Sequence, residues 1–195
     1  MRVFLTSIYT FSALIATGFC LTCDHCLYLH GDSCSGFSDK CKEDEICVTK
    51  IENATVGNDV RLSVFKGCER YDPRDGNTTI YYSSDKYIFH FYTKYCNEDN
   101  CNRRRIRVPV INMTKNGVEC PTCYVTGSFE CTETGTMKCV GEQEQCLDFS
   151  GIMRRPGLPF EKHATRGCVN AGTCEIGFPA LKGNTCLQQN RLICL

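Results

Sequence analysis

Two stretches of this chain set their cysteines at nearly the same intervals. The first runs 23, 26, 34, 41, 47 and 68; the second runs 120, 123, 131, 139, 146 and 168. Each gap in one series matches its counterpart to within one residue, so the chain reads as a tandem of two similar domains. The first series closes with Cys96 and Cys101 inside "YCNEDNCN" (Tyr95–Asn102), and the second continues with Cys174, Cys186 and Cys194. A polar, turn-rich stretch such as Tyr95–Asn102 cannot pack a core and holds no evident base or nucleophile.

Cysteine makes up about 9% of the chain, 18 of 195 residues, a density typical of a disulfide scaffold in an oxidising compartment. The start of the chain points to such a compartment. Met1-Arg2 precedes "VFLTSIYTFSALIATGF", a mostly apolar run that ends in small residues and has the anatomy of a secretory signal peptide. Residues 1–20 are therefore read as a leader. Cleavage after Gly18 or after Cys20 satisfies the small-residue requirement; cleavage after Cys20 is favoured and leaves an odd 17 cysteines. The sequons at Asn53, Asn77 and Asn112 agree with the secretory route as candidate glycosylation sites. The C-terminal "LQQNRLICL" lacks the spacer and apolar tail of a lipid-anchor signal, so the product is expected to be secreted, extracellular and without a membrane anchor. A formal net charge of +0 gives no bulk attraction to nucleic acid.

The expected organisation is a first domain over 21–102, a linker over 103–118 and a second domain over 119–195. The linker holds "RRRIR" (Arg103–Arg107), read as a solvated charge cluster, with a trypsin-like cleavage site or a small charged patch as functional alternatives. Domains of about 80 residues bury too little for a core alone to stabilise them. A bridge closing a loop of about 25 residues adds roughly 3–4 kcal/mol, so crosslinks are expected to dominate. "EICVTKI", "VRLSVFKGC" and "KYIFHFYTKYC" are rich in β-branched and aromatic residues and partly alternate, which marks strands. The first two flank "ENATVGND" and should form a long hairpin, repeated in the second domain around Pro156, Gly157 and Pro159. No window carries a sustained helical period. The fold class is all-β and disulfide-rich.

The residues "LTCDHC…ICV…GC…YCNEDNCN" resemble the three-finger superfamily of the urokinase receptor, lymphocyte antigen 6 (uPAR/Ly6 type) and snake neurotoxins. Two tandem three-finger domains in one chain look most like the gamma-type phospholipase A2 inhibitors, and "NGVEC", "QCLDFSG" and "RGCV" in the second domain follow the order of that family. Eight cysteines permit on the order of a hundred pairings, so connectivity comes only from the resemblance. It implies Cys23–Cys47, Cys26–Cys34, Cys41–Cys68 and Cys96–Cys101, then Cys120–Cys146, Cys123–Cys131 and Cys139–Cys168. It also implies that Asn102 hydrogen-bonds into the cysteine-rich base. The first domain lacks the usual third-finger pair, with Tyr95 at one of its positions. The second has no closing "CN", leaving Cys174, Cys186 and Cys194 unassigned and an atypical or truncated C-terminal end. One of these thiols is left free, bridged to another chain to give a homo-oligomer, or paired with Cys20.

The Cys-x-x-Cys pairs "CDHC" and "CPTC" are read as structural, because a redox centre needs a βαβ setting and a zinc site needs further ligands. His25, His30, His90 and His163 lie in no catalytic context, and the acidic clusters are too sparse for calcium. The protein is expected not to be an enzyme and to need no cofactor. The hairpin tip of the second domain combines Ile152, Met153, Leu158 and Phe160 with Arg154 and Arg155, which gives candidate partner contacts. An amphiphilic hairpin packed on the neighbouring domain is the alternative. The function implied is a binding protein that inhibits a secreted phospholipase A2 by complex formation. The second reading is a soluble ligand or decoy for a cell-surface receptor of nicotinic or integrin type.

Overall fold

The computed structural model describes residues 20–74, 76–177 and 181–195. The expected leader lies outside the described residues, apart from Cys20. The first half holds β1 (Thr22–Tyr28), β2 (Phe37–Lys40), β3 (Glu45–Val56), β4 (Asp59–Arg70), β5 (Thr79–Ser83) and β6 (Tyr87–Cys96). The second holds β7 (Lys115–Thr126), β8 (Gly135–Val140), β9 (Gln145–Arg154), β10 (Glu161–Val169), one helical turn α1 (Thr173–Ile176) and β11 (Thr185–Cys194). The fold is all-β and disulfide-rich. Of the expected linker, only the stretch up to Thr114 lies outside strands, since β7 begins at Lys115.

The hairpin β3–β4 pairs residue by residue from Glu45↔Arg70 to Val56↔Asp59. It turns at Gly57, whose φ of 57° is a conformation that costs glycine nothing. Its partner β9–β10 turns through Arg155–Leu158, closed by the Leu158 amide donating to the Arg155 carbonyl at 3.0 Å. At the base of each half the cysteines form their own buried clusters, Cys23, Cys41 and Cys47 in one and Cys120, Cys139 and Cys168 in the other. Asn102 seals the first base. Its Oδ1 accepts from the Asp24 amide at 2.9 Å, and its Nδ2 donates to the Asp24 and Val48 carbonyls.

The halves are not two modules held apart by a tether. A single sheet path runs β11-β9-β10-β5-β6-β3-β4-β1-β2 through both, joined where Ser83 and Tyr82 of β5 pair with Cys168 and Val169 of β10. Gly167 permits the approach: a Cβ there would lie 2.0 Å from the Ser83 carbonyl oxygen. The largest apolar cluster spans the junction, with Ile80, Tyr82, Tyr87, Phe89 and Phe91 from one half against Leu147, Phe149, Met153, Val169 and Leu181 from the other. Burying an aromatic or large aliphatic side chain is worth about 1.5–3 kcal/mol. Apolar burial across the junction therefore adds to what the crosslinks supply. Bridges organise the bases, and the apolar surface that each half lacks is supplied by the other.

Polar groups fix the orientation of this junction. Gln143 is fully buried, and its Nε2 donates to the carbonyls of Tyr81 and Cys168 and to the Ser83 hydroxyl. Glu52 on β3 is also buried, and its carboxylate accepts from the backbone amides of Lys182, Gly183 and Asn184. Gly183 is required here, because a Cβ would meet the Ser63 hydroxyl at 1.8 Å and a Glu52 oxygen at 2.7 Å. Gly183→Ala should lower the unfolding free energy by about 1–3 kcal/mol, the usual penalty of overpacking. Gly135→Ala, whose added methyl meets only Thr122 at an ordinary 3.4 Å, should change it by less than about 0.5 kcal/mol. Denaturant unfolding of the oxidised protein checks both values.

Candidate partner-binding surface

Three hairpin ends of different origin meet on one side of the molecule. Arg155, from the turn of β9–β10, reaches into the first half, donating to the Ala54 and Asp59 carbonyls at 2.8 and 2.9 Å and pairing with the Asp59 carboxylate at 3.1 Å. The next turn residue but one, Gly157, has space bounded by the Arg61 guanidinium and the His30 ring. The tips of β3–β4 and β9–β10 therefore lie side by side, with the first finger of the first half against them.

Strand geometry divides the candidate contacts. Successive side chains of β9 point to opposite faces, so Met153 turns into the junction core and is 4% exposed, and Arg155 beyond it is 7% exposed. These two are removed from the exposed contact surface, because they serve the packing of one half on the other. Arg154 and Phe160 stay exposed and meet each other, the guanidinium 4.8 Å from the ring centroid. Ile152 and Leu158 are half-buried beside them. Val60 of the neighbouring tip is 54% exposed. The surface that remains is an aromatic and aliphatic patch carrying Arg154 and Arg61, mounted on two crosslinked hairpins that are tied to each other. Rigid tips of this kind lose little conformational entropy on complex formation.

Disulfides join Cys23–Cys47, Cys26–Cys34, Cys41–Cys68, Cys96–Cys101, Cys120–Cys146, Cys123–Cys131, Cys139–Cys168 and Cys174–Cys194. The two members of each Cys-x-x-Cys thus belong to different bridges, so neither motif is a dithiol that opens and closes as a unit. Cys20 and Cys186 are free. Cys186 is half-buried on β11, and burial pushes its thiol up from the ordinary value, which lowers its thiolate fraction. The sequon asparagines sit apart from one another. Asn53 is half-buried on central β3, whereas Asn77 and Asn112 are exposed, their Oδ1 atoms accepting from the Tyr95 and Thr114 amides.

None of the four histidines hydrogen-bonds a serine or a free thiol among the described residues. His163 is buried, with its Nδ1 3.2 Å from the Tyr124 hydroxyl. His90 stands edge-on to Tyr81 on the outer face of β6. The junction core beside His163 leaves an apolar void of only about 30 Å³, room for roughly one water and not for an organic ligand. Sequence reasoning misses Glu52 and Gln143. Phase gave no signal for Glu52, because Thr49 and Ile51 on the opposite face of β3 are buried as well.

A u-PAR/Ly-6 domain model matches residues 20–104 and again 116–177. The chain belongs to the u-PAR/Ly-6 family. Among curated relatives, the phospholipase A2 inhibitor NAI of Notechis ater is 26% identical over 170 residues, covering 85% of this chain and 82% of that protein. A gamma-type phospholipase A2 inhibitor chain of Elaphe climacophora is 25% identical over 84% of this chain and 81% of its own. The urokinase plasminogen activator surface receptor of Rattus norvegicus is 26% identical over 76% of this chain, with 47% of the receptor matched. These relatives are inhibitors and a receptor, so the family match makes this a u-PAR/Ly-6 binding protein. Among the described residues, no helix is long and apolar enough to cross a membrane.

Burial lowers the basicity of His163, with Glu161 opposing, and it lowers that of His90. The unfolded chain takes up these protons as pH falls through about 6.5, while the folded chain resists. Stability contributed by the neutral imidazoles is therefore present above about pH 6.5 and is lost towards the lower folded values. Burial raises Glu52, which acts in the opposite sense above its ordinary value. The difference between the wild-type protein and His163→Gln isolates the imidazole. Thermal unfolding between about pH 7 and 5 should show a shallower loss of stability in the variant.

Proposed function

We propose that this protein is an extracellular inhibitor of secreted phospholipase A2 that acts by forming a protein–protein complex, without catalysis. The observation that supports the reading most is similarity to the phospholipase A2 inhibitors of Notechis ater and Elaphe climacophora over more than four-fifths of both partners. The contact surface in this reading is the paired hairpin tips, with Phe160, Leu158, Ile152 and Arg154 from one and Val60 and Arg61 from the other. Apolar side chains at the centre with guanidinium groups at the edge make a surface of the hot-spot type. Glycans at Asn53, Asn77 and Asn112 belong to the same secretory reading. Asn53 lies on the β3 face opposite the junction, so sugar there leaves the tips open.

Titration of the purified, oxidised protein against a panel of secreted phospholipases A2 should give saturable binding and matching loss of lipid hydrolysis in at least one case. Phe160→Ala should weaken that complex by about tenfold or more with no change in melting temperature. Saturable binding to cells with no effect on any phospholipase would favour a receptor ligand instead.

A further inference from the structure

The basic run after the first half is divided in two by the way the chain crosses the sheet. Arg103 donates to the Ser38 hydroxyl at 2.9 Å, and its carbonyl accepts from the buried Lys66 ammonium at 2.7 Å. Arg105 pairs with Asp32 at 2.6 Å. Both contacts strap the connecting segment onto the first finger. The side chains of Arg104 and Arg107 make no ion pair or hydrogen bond among the described residues, and neither does that of Lys94 on β6. All three are exposed and, together with the Asp32-paired Arg105, line one cleft of about 350 Å³. Its floor is Thr49, Asn102 and the Cys96–Cys101 bridge, Ile106 provides an apolar wall, and no carboxylate lines it.

We infer that this cleft is a binding site for sulfated glycan chains, with Lys94, Arg104 and Arg107 holding the sulfate groups and Ile106 meeting the saccharide ring. Guanidinium groups present a planar fork that matches the oxygens of such anions. A concave site lined by one sign of charge focuses the field at the ligand. The chain as a whole carries a formal charge of +0, so attraction of a polyanion needs a local cluster of cations such as this one. The floor is the crosslinked base itself, so the three cations are carried on a frame that does not rearrange on binding. A flat phospholipid surface does not enter a recess of this shape, whereas sulfate groups projecting from a flexible chain do. The oxidised framework places the protein where such chains occur.

Isothermal titration with a heparin hexasaccharide at about 0.15 M salt, where screening is physiological, tests the inference on the full-length secreted protein. Saturable binding is expected, weakening steeply as salt is raised and absent with a desulfated hexasaccharide of equal length. The triple variant K94Q/R104Q/R107Q should bind at least about tenfold more weakly, with an unchanged melting temperature because all three side chains are exposed. A control, R70Q/R74Q/K115Q, removes the same charge elsewhere and should bind within about twofold of wild type. No binding by the wild-type protein, equal losses in both triple variants, or retention on phosphatidylserine vesicles but not on heparin would each overturn the assignment. Phospholipase binding by K94Q/R104Q/R107Q should stay unchanged, so failure here and failure of the inhibitor reading are separate results.

Discussion

Neither half of this chain can cover its own aromatic face. Residues Tyr87, Phe89 and Phe91 alternate along β6, and together with Ile80 and Tyr82 on β5 they present an apolar face that packs against residues of the second half. The second half brings Leu147, Phe149 and Met153 on the matching phase of β9. Burial of these residues against one another is the interaction on which the arrangement rests. The cysteine clusters at each base hold the fingers in shape, but they do not supply the surface where the halves meet.

Apolar burial alone would tolerate sliding and rotation, and the polar groups at the junction remove that freedom. Glu52 takes three backbone amides in succession, a geometry met by one docking position of the 182–184 segment. Gln143 bridges carbonyls from both halves, and Arg155 on one hairpin tip reaches the Ala54 and Asp59 carbonyls of the other. Each of these groups is costly to bury unpaired, so an alternative register would leave a charge or an amide without partners. The two tips therefore carry a fixed spacing, and a partner meets them as one surface.

The duplication, the two long hairpins and the all-β class were legible because they are written locally, in cysteine intervals and in the alternation of neighbouring residues. The short strand β5, "TIYYS", is not evident from sequence, since its partners β6 and β10 lie on either side of it in space and one of them lies far along the chain. The same holds for Glu52: β3 is buried on both faces, and the donors to its carboxylate are about 130 residues away, as the Asn184 contact shows. The tip residues show a further limit. Ile152 to Arg155 look like one amphiphilic run in sequence, whereas pleating sends Met153 and Arg155 inward and leaves Ile152 and Arg154 outside. The pairing of Cys174 with Cys194 spans a segment where the duplication fades, so no interval in the first half pointed to it.

The strand pairing between β5 and β10 also bears on how the molecule is made. Tyr82 and its hydrogen-bond partner Thr165 are 83 residues apart, so the nascent first half emerges with an open sheet edge and bare aromatic side chains. During that interval its oxidation at Cys23, Cys41, Cys47 and Cys68 can proceed, because those partners are already present. The covering half arrives only afterwards. A first half that oxidised before the second was present would be crosslinked yet expose an open strand edge and apolar rings.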